Sequence, residues 1–109
     1  MSTESNTVVK EQQKIKEPTK YKIIVHDNPI TSFDEVIFIL SRCFNKTEDQ
    51  AVEIANQVHL DKKGICGVYD KEVAESKMEA VGMAKNYLIM NFNYRKSAIE
   101  ALKFTMEEA

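Results

Sequence analysis

The chain has 109 residues, of which 43% are hydrophobic, and a formal net charge of −2. This length suits one domain with one hydrophobic core, and the near-neutral charge gives no overall field that would favour nucleic acid as a partner. No apolar run approaches the ~18 residues of a membrane-spanning helix, and no signal-peptide pattern opens the chain. Cys43 and Cys66 lie among apolar neighbours, so we expect reduced, buried thiols rather than a disulfide, and the cytoplasm as the compartment.

Residues 1–19 are polar and rich in Lys, Glu and Gln, and their few apolar residues form no stripe. Such a segment cannot bury enough surface to offset the entropy of ordering it. We therefore expect a disordered N-terminal extension at 1–19 and a folded domain at 20–109. The first element of that domain is a β-rich strand from Tyr21 to His26, which ends at Asp27-Asn28-Pro29 because proline has no N–H for a ladder.

Two helices are predicted next, each opened by a capping box. Ser32 and Glu35 open the first, and Thr47 and Gln50 open the second. Behind each box, apolar residues recur at helical spacing, which predicts one buried face on each helix. These residues are Val36, Ile37, Ile39, Leu40, Cys43 and Phe44 in the first helix, and Ala51, Ile54, Ala55 and Val58 in the second.

A turn and a buried strand follow the second helix. The turn is Lys62-Lys63-Gly64, and the strand runs from Gly64 to Tyr69. Gly67 lacks a side chain, which allows another group to approach this strand closely. Asp70 then stands where the N-cap of a third helix is expected.

The third helix is predicted to begin near Lys71 and to carry Ala74, Met78, Val81 and Leu88 on its inner side. The segment 87–101 holds aromatic residues and Met, so we expect it to pack on the domain or on a partner. Within it, 97–102 can form a short helix or continue the third helix, and 103–106 is predicted as a closing edge strand. The fold class we predict is α/β, a small three-stranded sheet packed against three helices in the order β-α-α-β-α-β.

Residues 58–77 read V-H-x-x-x-K-G-I-C-G-V-Y-x-x-E-V-A-E-S-K, which resembles the signature segment of the ClpS family. Further matches lie at Tyr21–Val25, at 31–44 and in the C-terminal Thr-Met-Glu-Glu-Ala. The resemblance implies a monomeric, non-enzymatic adaptor without a cofactor. Its partners would be the N-domain of a ClpA- or ClpC-like AAA+ ATPase and proteins with a bulky hydrophobic N-terminal residue, and it would use neither nucleic acid nor a membrane.

The same resemblance implies a pocket for the first residue of a substrate, an N-degron. The matching positions here are Asp27, Thr31, Phe33, Val36, Ala55, Val58, His59 and Leu102. The resemblance implies that polar groups at the Asp27 and His59 positions hold the free α-amino group. The other residues would line an apolar hole. The chemistry is sound, because an ammonium that loses its hydration needs acceptors aimed at it.

This chain departs from the family pattern at the pocket. The family usually has Asn-Asp-Asp where this chain has Asp27-Asn28-Pro29, so Pro29 removes an acid and a backbone donor. Phe33 and Ala55 stand where methionines are usual, and one fills space while the other opens it. We therefore expect a pocket of similar volume and altered shape. Beyond Lys77 the chain is also longer than the family norm.

Glu72, Glu75 and Lys77 match positions in the family's docking surface for the ATPase N-domain. As bare sequence they are a solvated, charged helix face. Both interpretations remain open for these three residues.

The sequence offers four alternative interpretations. His59 can be a structural residue that caps a carbonyl, or the chain can be a ClpS-fold regulatory subunit that modulates an AAA+ partner without binding N-degrons. Cys66 with His59 as nucleophile and base is disfavoured, because a buried strand offers no cation that would lower the pKa of the thiol. A metal site at His26 and His59 lacks enough ligands.

Overall fold

The computed structural model describes residues 18–109. Its elements are β1 (Lys20–His26), α1 (Phe33–Cys43), α2 (Glu48–Asp61), β2 (Lys63–Asp70), α3 (Lys71–Asn91), a 3-10 turn (Asn93–Arg95), α4 (Lys96–Ala101) and β3 (Lys103–Glu108). The predicted α/β class and element order are confirmed, and the stretch left open near residue 97 is a separate fourth helix, α4. The predicted N-terminal extension lies outside the described residues, apart from positions 18 and 19.

The sheet is antiparallel, with the strand order β2-β1-β3, so β1 is central. Ile23 and Val25 on β1 are fully buried beneath the helices, which pack on one face of the sheet. The edge strand predicted at 103–106 is present and extends to Glu108. Because β1 is held on both sides, the loop that leaves it after His26 starts from a fixed point.

Cys66 is the extra residue of a β-bulge in β2. Ile23 pairs with Gly67 and Ile24 pairs with Ile65, which leaves Cys66 without an opposite partner. Its side chain is fully buried, and burial raises the pKa of its thiol to about 12. Cys43 is buried as well and both thiols are free, as predicted.

Both predicted capping boxes are present. Ser32 Oγ accepts from the Glu35 N–H at 3.2 Å and Glu35 Oε1 accepts from the Ser32 N–H at 2.9 Å. Thr47 and Gln50 make the equivalent pair at the start of α2, at 3.2 and 3.0 Å. Each box satisfies N–H groups that a helix start leaves without partners, which fixes where the helix begins.

Asp70 stands at the N-cap of α3 with extended backbone angles, but its side chain makes no capping hydrogen bond. Its Oδ1 instead accepts from Lys20 Nζ at 2.7 Å. The predicted N-cap position of Asp70 is therefore confirmed, although its carboxylate does not cap the helix. The reason is that Lys20 of β1 pairs with Asp70 across the sheet and takes its carboxylate.

The buried faces of the helices follow the predicted spacing. Ile37, Ile54 and Met78 are only partly buried and pack against the edge of the core. The fully or nearly buried helix residues are Val36, Ile39, Leu40, Cys43, Ala51, Ala55, Val58, Ala74, Val81, Ala84 and Leu88. The core thus lies between the sheet and α1, α2 and α3.

Segment 87–101 reverses the chain at the end of α3. Tyr87 stacks on Phe38 with ring centroids 6.1 Å apart, and Ala98 and Ile99 of α4 are buried. Met90 and Tyr94 remain largely exposed. The segment is therefore attached to the domain by one side and presents aromatic and apolar groups on the other.

Candidate functional site

A cavity of about 440 Å³ opens between the loop after β1, the start of α1 and the second half of α2. Seven of the eight pocket residues expected from the sequence line it. They are Asp27, Thr31, Phe33, Val36, Ala55, Val58 and His59, and Asn28, Pro29 and Asn56 complete the lining. Leu102 is not among them, because its buried side chain lines a separate cavity beside Val81 of α3.

The floor and wall of this cavity are apolar and buried. Val36 comes from the first turn of α1, while Ala55 and Val58 lie one helical turn apart on α2. All three are at most 8% exposed. Phe33, which precedes Val36 by one turn on α1, is 42% exposed and stands at the mouth.

Asp27 and His59 are among the polar side chains that line the cavity. The Asp27 N–H donates to Lys62 O at 2.9 Å, which holds this residue beside the end of α2. Asp27 Oδ2 lies 3.9 Å from Lys62 Nζ, but the Lys62 side chain is 79% exposed, so this ion pair is weak. The Asp27 carboxylate therefore keeps capacity to accept a second ammonium group.

His59 lies one turn beyond Ala55 on α2 and is exposed. The alternative interpretation makes His59 a structural residue that caps a carbonyl. In its neutral form the imidazole ring has one nitrogen that can accept a hydrogen bond. A ligand N–H in the cavity could donate to it. His59 is therefore an exposed side chain that lines the cavity.

The loop between β1 and α1 is ordered by Asn28. Its Oδ1 accepts from the N–H groups of Ile30 at 3.0 Å and Thr31 at 2.8 Å, an Asx turn. Since this oxygen already has two donors, Asn28 organises the loop and adds little acceptor capacity to the cavity. The sequence analysis did not predict this role. An Asn that precedes a Pro is nevertheless typical of the start of a turn.

Arg95 reaches the same loop from the distant 3-10 turn. It donates from Nε to Glu35 Oε2 at 2.8 Å and from Nη2 to Glu35 Oε1 at 2.9 Å. The same Nη2 donates to Ile30 O at 3.1 Å. The Arg95 hydrogen bonds hold the pKa of Glu35 below its usual value, although burial opposes them. Sequence reasoning missed this contact, because no local pattern relates residues 60 positions apart.

The predicted docking residues lie on the first two turns of α3. Glu72 and Glu75 are exposed, and Lys77 is half-buried with Nζ 5.7 Å from the centroid of the Tyr69 ring. Ala74, between them, is fully buried. The helix therefore turns its two carboxylates to solvent while its other face packs on the sheet.

Other chemistry finds little support in the described part of the chain. Cys66 is buried with a raised pKa, so its thiol stays protonated and is a poor nucleophile. His26 Nε2 lies 2.7 Å from Thr105 Oγ1, a hydrogen bond between neighbouring strands. Among residues 18–109 no group of three or more His, Cys, Asp or Glu side chains could hold a metal ion. No helix in this range is long and apolar enough to cross a membrane.

Comparison with solved structures identifies the fold. Agrobacterium tumefaciens ClpS2 bound to L-phenylalaninamide matches with a TM-score of 0.66, at 22% sequence identity. The match covers 85% of this chain and 100% of that one. The two chains therefore share the three-stranded α/β fold described above.

Comparison of sequences identifies the family. A family model described as ATP-dependent Clp protease adaptor protein ClpS matches residues 16–88. The ClpS adapter of Herminiimonas arsenicoxydans is 32% identical over 105 residues, which span 96% of this chain and 93% of that protein. The ClpS adapter of Vibrio atlanticus (strain LGP32) is 36% identical over 104 residues, or 95% and 89% of the two chains.

Fold and sequence together define a small protease-adaptor domain. The chain belongs to the ClpS family of ATP-dependent Clp protease adaptor proteins. The resemblance first noted in residues 58–77 is confirmed over most of the chain.

Proposed function

We propose that this chain binds the N-terminal residue of protein substrates in the cavity between Asp27 and His59, and delivers these substrates to the ATPase of a Clp protease. One observation carries the proposal. A single cavity combines a buried apolar wall with acceptor side chains that include Asp27 and His59. This is the pairing of surfaces that an N-terminal residue requires, because it carries an ammonium group next to its side chain.

In this proposal the ammonium group lies between Asp27 and His59 and the side chain enters toward Val36, Ala55 and Val58. The carboxylate and the imidazole replace the water that the ammonium loses. Burial of the side chain contributes about 25 cal/mol per Å² of apolar surface. A bulky hydrophobic residue therefore binds best, while β-branched shapes overlap with the short walls. The family relationship supports an adaptor role without catalysis.

The ligand of the structural relative supports the same chemistry. L-phenylalaninamide, bound to Agrobacterium tumefaciens ClpS2, carries a free α-amino group beside an aromatic side chain. It is the smallest model of an N-terminal phenylalanine. A cavity with an apolar wall and a polar mouth suits that molecule in this chain as well.

We propose that Glu72, Glu75 and Lys77 form the docking surface for the N-domain of a ClpA- or ClpC-like AAA+ ATPase. Two of these side chains are exposed and none of them lines the cavity, so substrate and ATPase can bind at the same time. We also propose that the chain is a monomer and that it is located in the cytoplasm. The two free, buried thiols agree with a reducing compartment.

A second candidate function is a regulatory subunit that docks on the AAA+ partner without binding N-degrons. Pro29 and Asn28 favour this alternative, because proline offers no acid and the Asn28 amide oxygen is already occupied by the loop. Docking through α3 would be the same in both cases.

A fluorescence-polarisation titration decides between the two functions. The probe is a labelled peptide with a free N-terminal Phe or Leu, and its N-acetylated twin is the matched control. Saturable binding of the free peptide and none of the acetylated one would support the adaptor. Equal or absent binding of both peptides, with retained binding to the ATPase N-domain, would support the regulatory subunit and overturn the first proposal.

A further inference from the structure

Residues 27–32 form one wall of the cavity. A residue near the C-terminal part of the chain, Arg95, holds this wall from outside the cavity. Arg95 lies in the 3-10 turn between α3 and α4, well separated in sequence from the loop it touches. Its guanidinium holds both oxygens of Glu35 and also the carbonyl oxygen of Ile30. One planar guanidinium group thus joins the first turn of α1 to the loop in front of it.

Glu35 links this brace to the cavity. Its Oε1 accepts from Arg95 and also from the Ser32 N–H, so the carboxylate serves the capping box and the brace together. Phe33 and Val36, which line the cavity, lie in the same helical turn as Glu35. A change in the brace is therefore transmitted to the mouth and wall of the cavity through the start of α1.

A second contact from the same segment lies beside the brace. Thr31 Oγ1 lies 2.7 Å from Ala98 O on α4 and 2.8 Å from Asn28 Oδ1. A hydroxyl has one proton, so it donates to only one of these oxygens. Ala98 O is the better acceptor, because the Leu102 N–H that would otherwise bond to it donates to Ile99 O instead. Thr31, a cavity residue, is thereby tied to α4.

We propose that Arg95 is a positioning residue for the N-terminal-residue cavity, acting through Glu35 and Ile30. The proposal rests on the proposed function, since it concerns how well the cavity is formed before a ligand arrives. It also gives the segment after α3 a role, which is to hold the loop that faces the ligand. Arg95 itself does not line the cavity.

The physical basis is preorganisation. A loop that is already held in its binding conformation does not lose conformational freedom when the ligand binds, and this saving appears as affinity. Without Arg95 the capping box can still form, but the Ile30 carbonyl loses its donor and the Glu35 carboxylate loses its bidentate partner. We therefore expect the loop to open more often and the ligand to dissociate faster.

Three variants of the full chain test the proposal. Arg95→Ala removes the brace, and Arg95→Lys keeps the charge but cannot form the bidentate pair and the carbonyl contact together. Lys85→Met is the matched control, because Lys85 Nζ donates to Leu102 O at 2.7 Å and so also ties the C-terminal part of the chain, away from the loop. A general loss of stability would affect the control as well.

Two measurements are made on each variant. The first is the affinity for a labelled peptide with N-terminal Phe, and the second is amide hydrogen exchange at Ile30 and Thr31. Arg95→Ala should bind about tenfold more weakly, with faster exchange at both amides. Arg95→Lys should fall between this variant and the wild type, and Lys85→Met should match the wild type in both.

The outcomes separate the two proposals. Wild-type affinity and exchange in Arg95→Ala, or an equal change in Lys85→Met, would overturn the positioning role while the proposed function stands. Failure of the wild type to bind the peptide would overturn the proposed function and, with it, the role of Arg95 in ligand binding. Faster exchange in Arg95→Ala without any change in affinity would likewise overturn the role in binding.

Discussion

Gly64 on β2 lies directly against Val58 on α2. A Cβ atom at position 64 would come within 2.9 Å of Val58 Cγ2, closer than real side chains allow. Val58 also lines the candidate cavity, so the packing of a glycine on the strand sets the position of a cavity wall. Stability and binding are therefore coupled at this contact.

The first prediction follows from this contact. Gly64→Ala should lower the free energy of unfolding by about 1–3 kcal/mol, because the added methyl overpacks the space between α2 and β2. It should also weaken binding of a peptide with N-terminal Phe, since Val58 must move. Urea denaturation and a fluorescence-polarisation titration measure the two effects. Wild-type stability in the variant would show that Val58 has room to shift.

A matched substitution at Gly82 should have the opposite effect. Gly82 lies within α3, is exposed, and a Cβ atom there would meet nothing within 4 Å. Gly82→Ala should therefore raise the free energy of unfolding by about 0.5–1 kcal/mol through helix propensity, and leave peptide affinity unchanged. Urea denaturation checks this value. A destabilised Gly82→Ala protein would mean that α3 has a neighbour at this position.

The sequence predicts the helices and strands well, but it does not predict the side-chain contacts between residues distant in sequence. The helix starts at Ser32 and Thr47 were predictable because their caps are local patterns of four residues. The seven cavity residues were expected only through the family resemblance. The Arg95 to Glu35 pair joins residues distant in sequence, and the Lys20 to Asp70 pair depends on strand register, so neither has a local signal. Leu102 matches the family's pocket by its position in the sequence, whereas its buried side chain lines a different cavity, which no sequence pattern indicates.

Glu35 should make stability depend on pH. Its pKa in the folded chain lies below the ordinary value of 4.5, chiefly because of the Arg95 hydrogen bonds. The stabilisation is therefore fully present above pH 4.5 and is lost as the pH falls through the lowered pKa. Glu35→Gln should be less stable than the wild type at pH 7, and the difference should shrink in acid. Urea denaturation across this range measures it.

The Arg95→Ala background is the control for Glu35. Without its main partner, the Glu35→Gln substitution should cost less at pH 7 and show a weaker pH dependence. An unchanged dependence in that background would mean that the capping box, rather than Arg95, lowers the pKa of Glu35.

Asp27 should contribute most of the recognition of the α-amino group. Asp27→Ala should weaken binding of a peptide with free N-terminal Phe by about 1.5–3 kcal/mol, as expected for a hydrogen bond to a charged group. Asp27→Asn, which keeps the shape and an acceptor, should lose less. Lys62→Met removes the competing cation near Asp27 and should bind as well as the wild type or better. Unchanged affinity in Asp27→Ala would remove this residue from the site.

The last prediction concerns selectivity between N-terminal residues. Ala55 is 3% exposed and lines the cavity, whereas Phe33 stands at its mouth with fewer rotatable bonds than the family's methionine. A small residue in the wall leaves room for a large ligand side chain, and a stiff residue at the mouth adapts less to different ligands. The cavity should therefore prefer long or bulky side chains and exclude β-branched Ile and Val.

Ala55→Met fills that room and tests the assignment directly. It should reduce binding of peptides with N-terminal Phe, Tyr or Trp more than binding of those with Leu, since each methylene of misfit costs about 1–3 kcal/mol. The measured quantity is the ratio of aromatic to Leu affinity in parallel titrations. Glu53→Met adds the same side chain at an exposed position of α2 and should leave the ratio unchanged. If Ala55→Met also leaves it unchanged, residue 55 does not contact the ligand, because a methionine in the path of an aromatic ring could not be neutral.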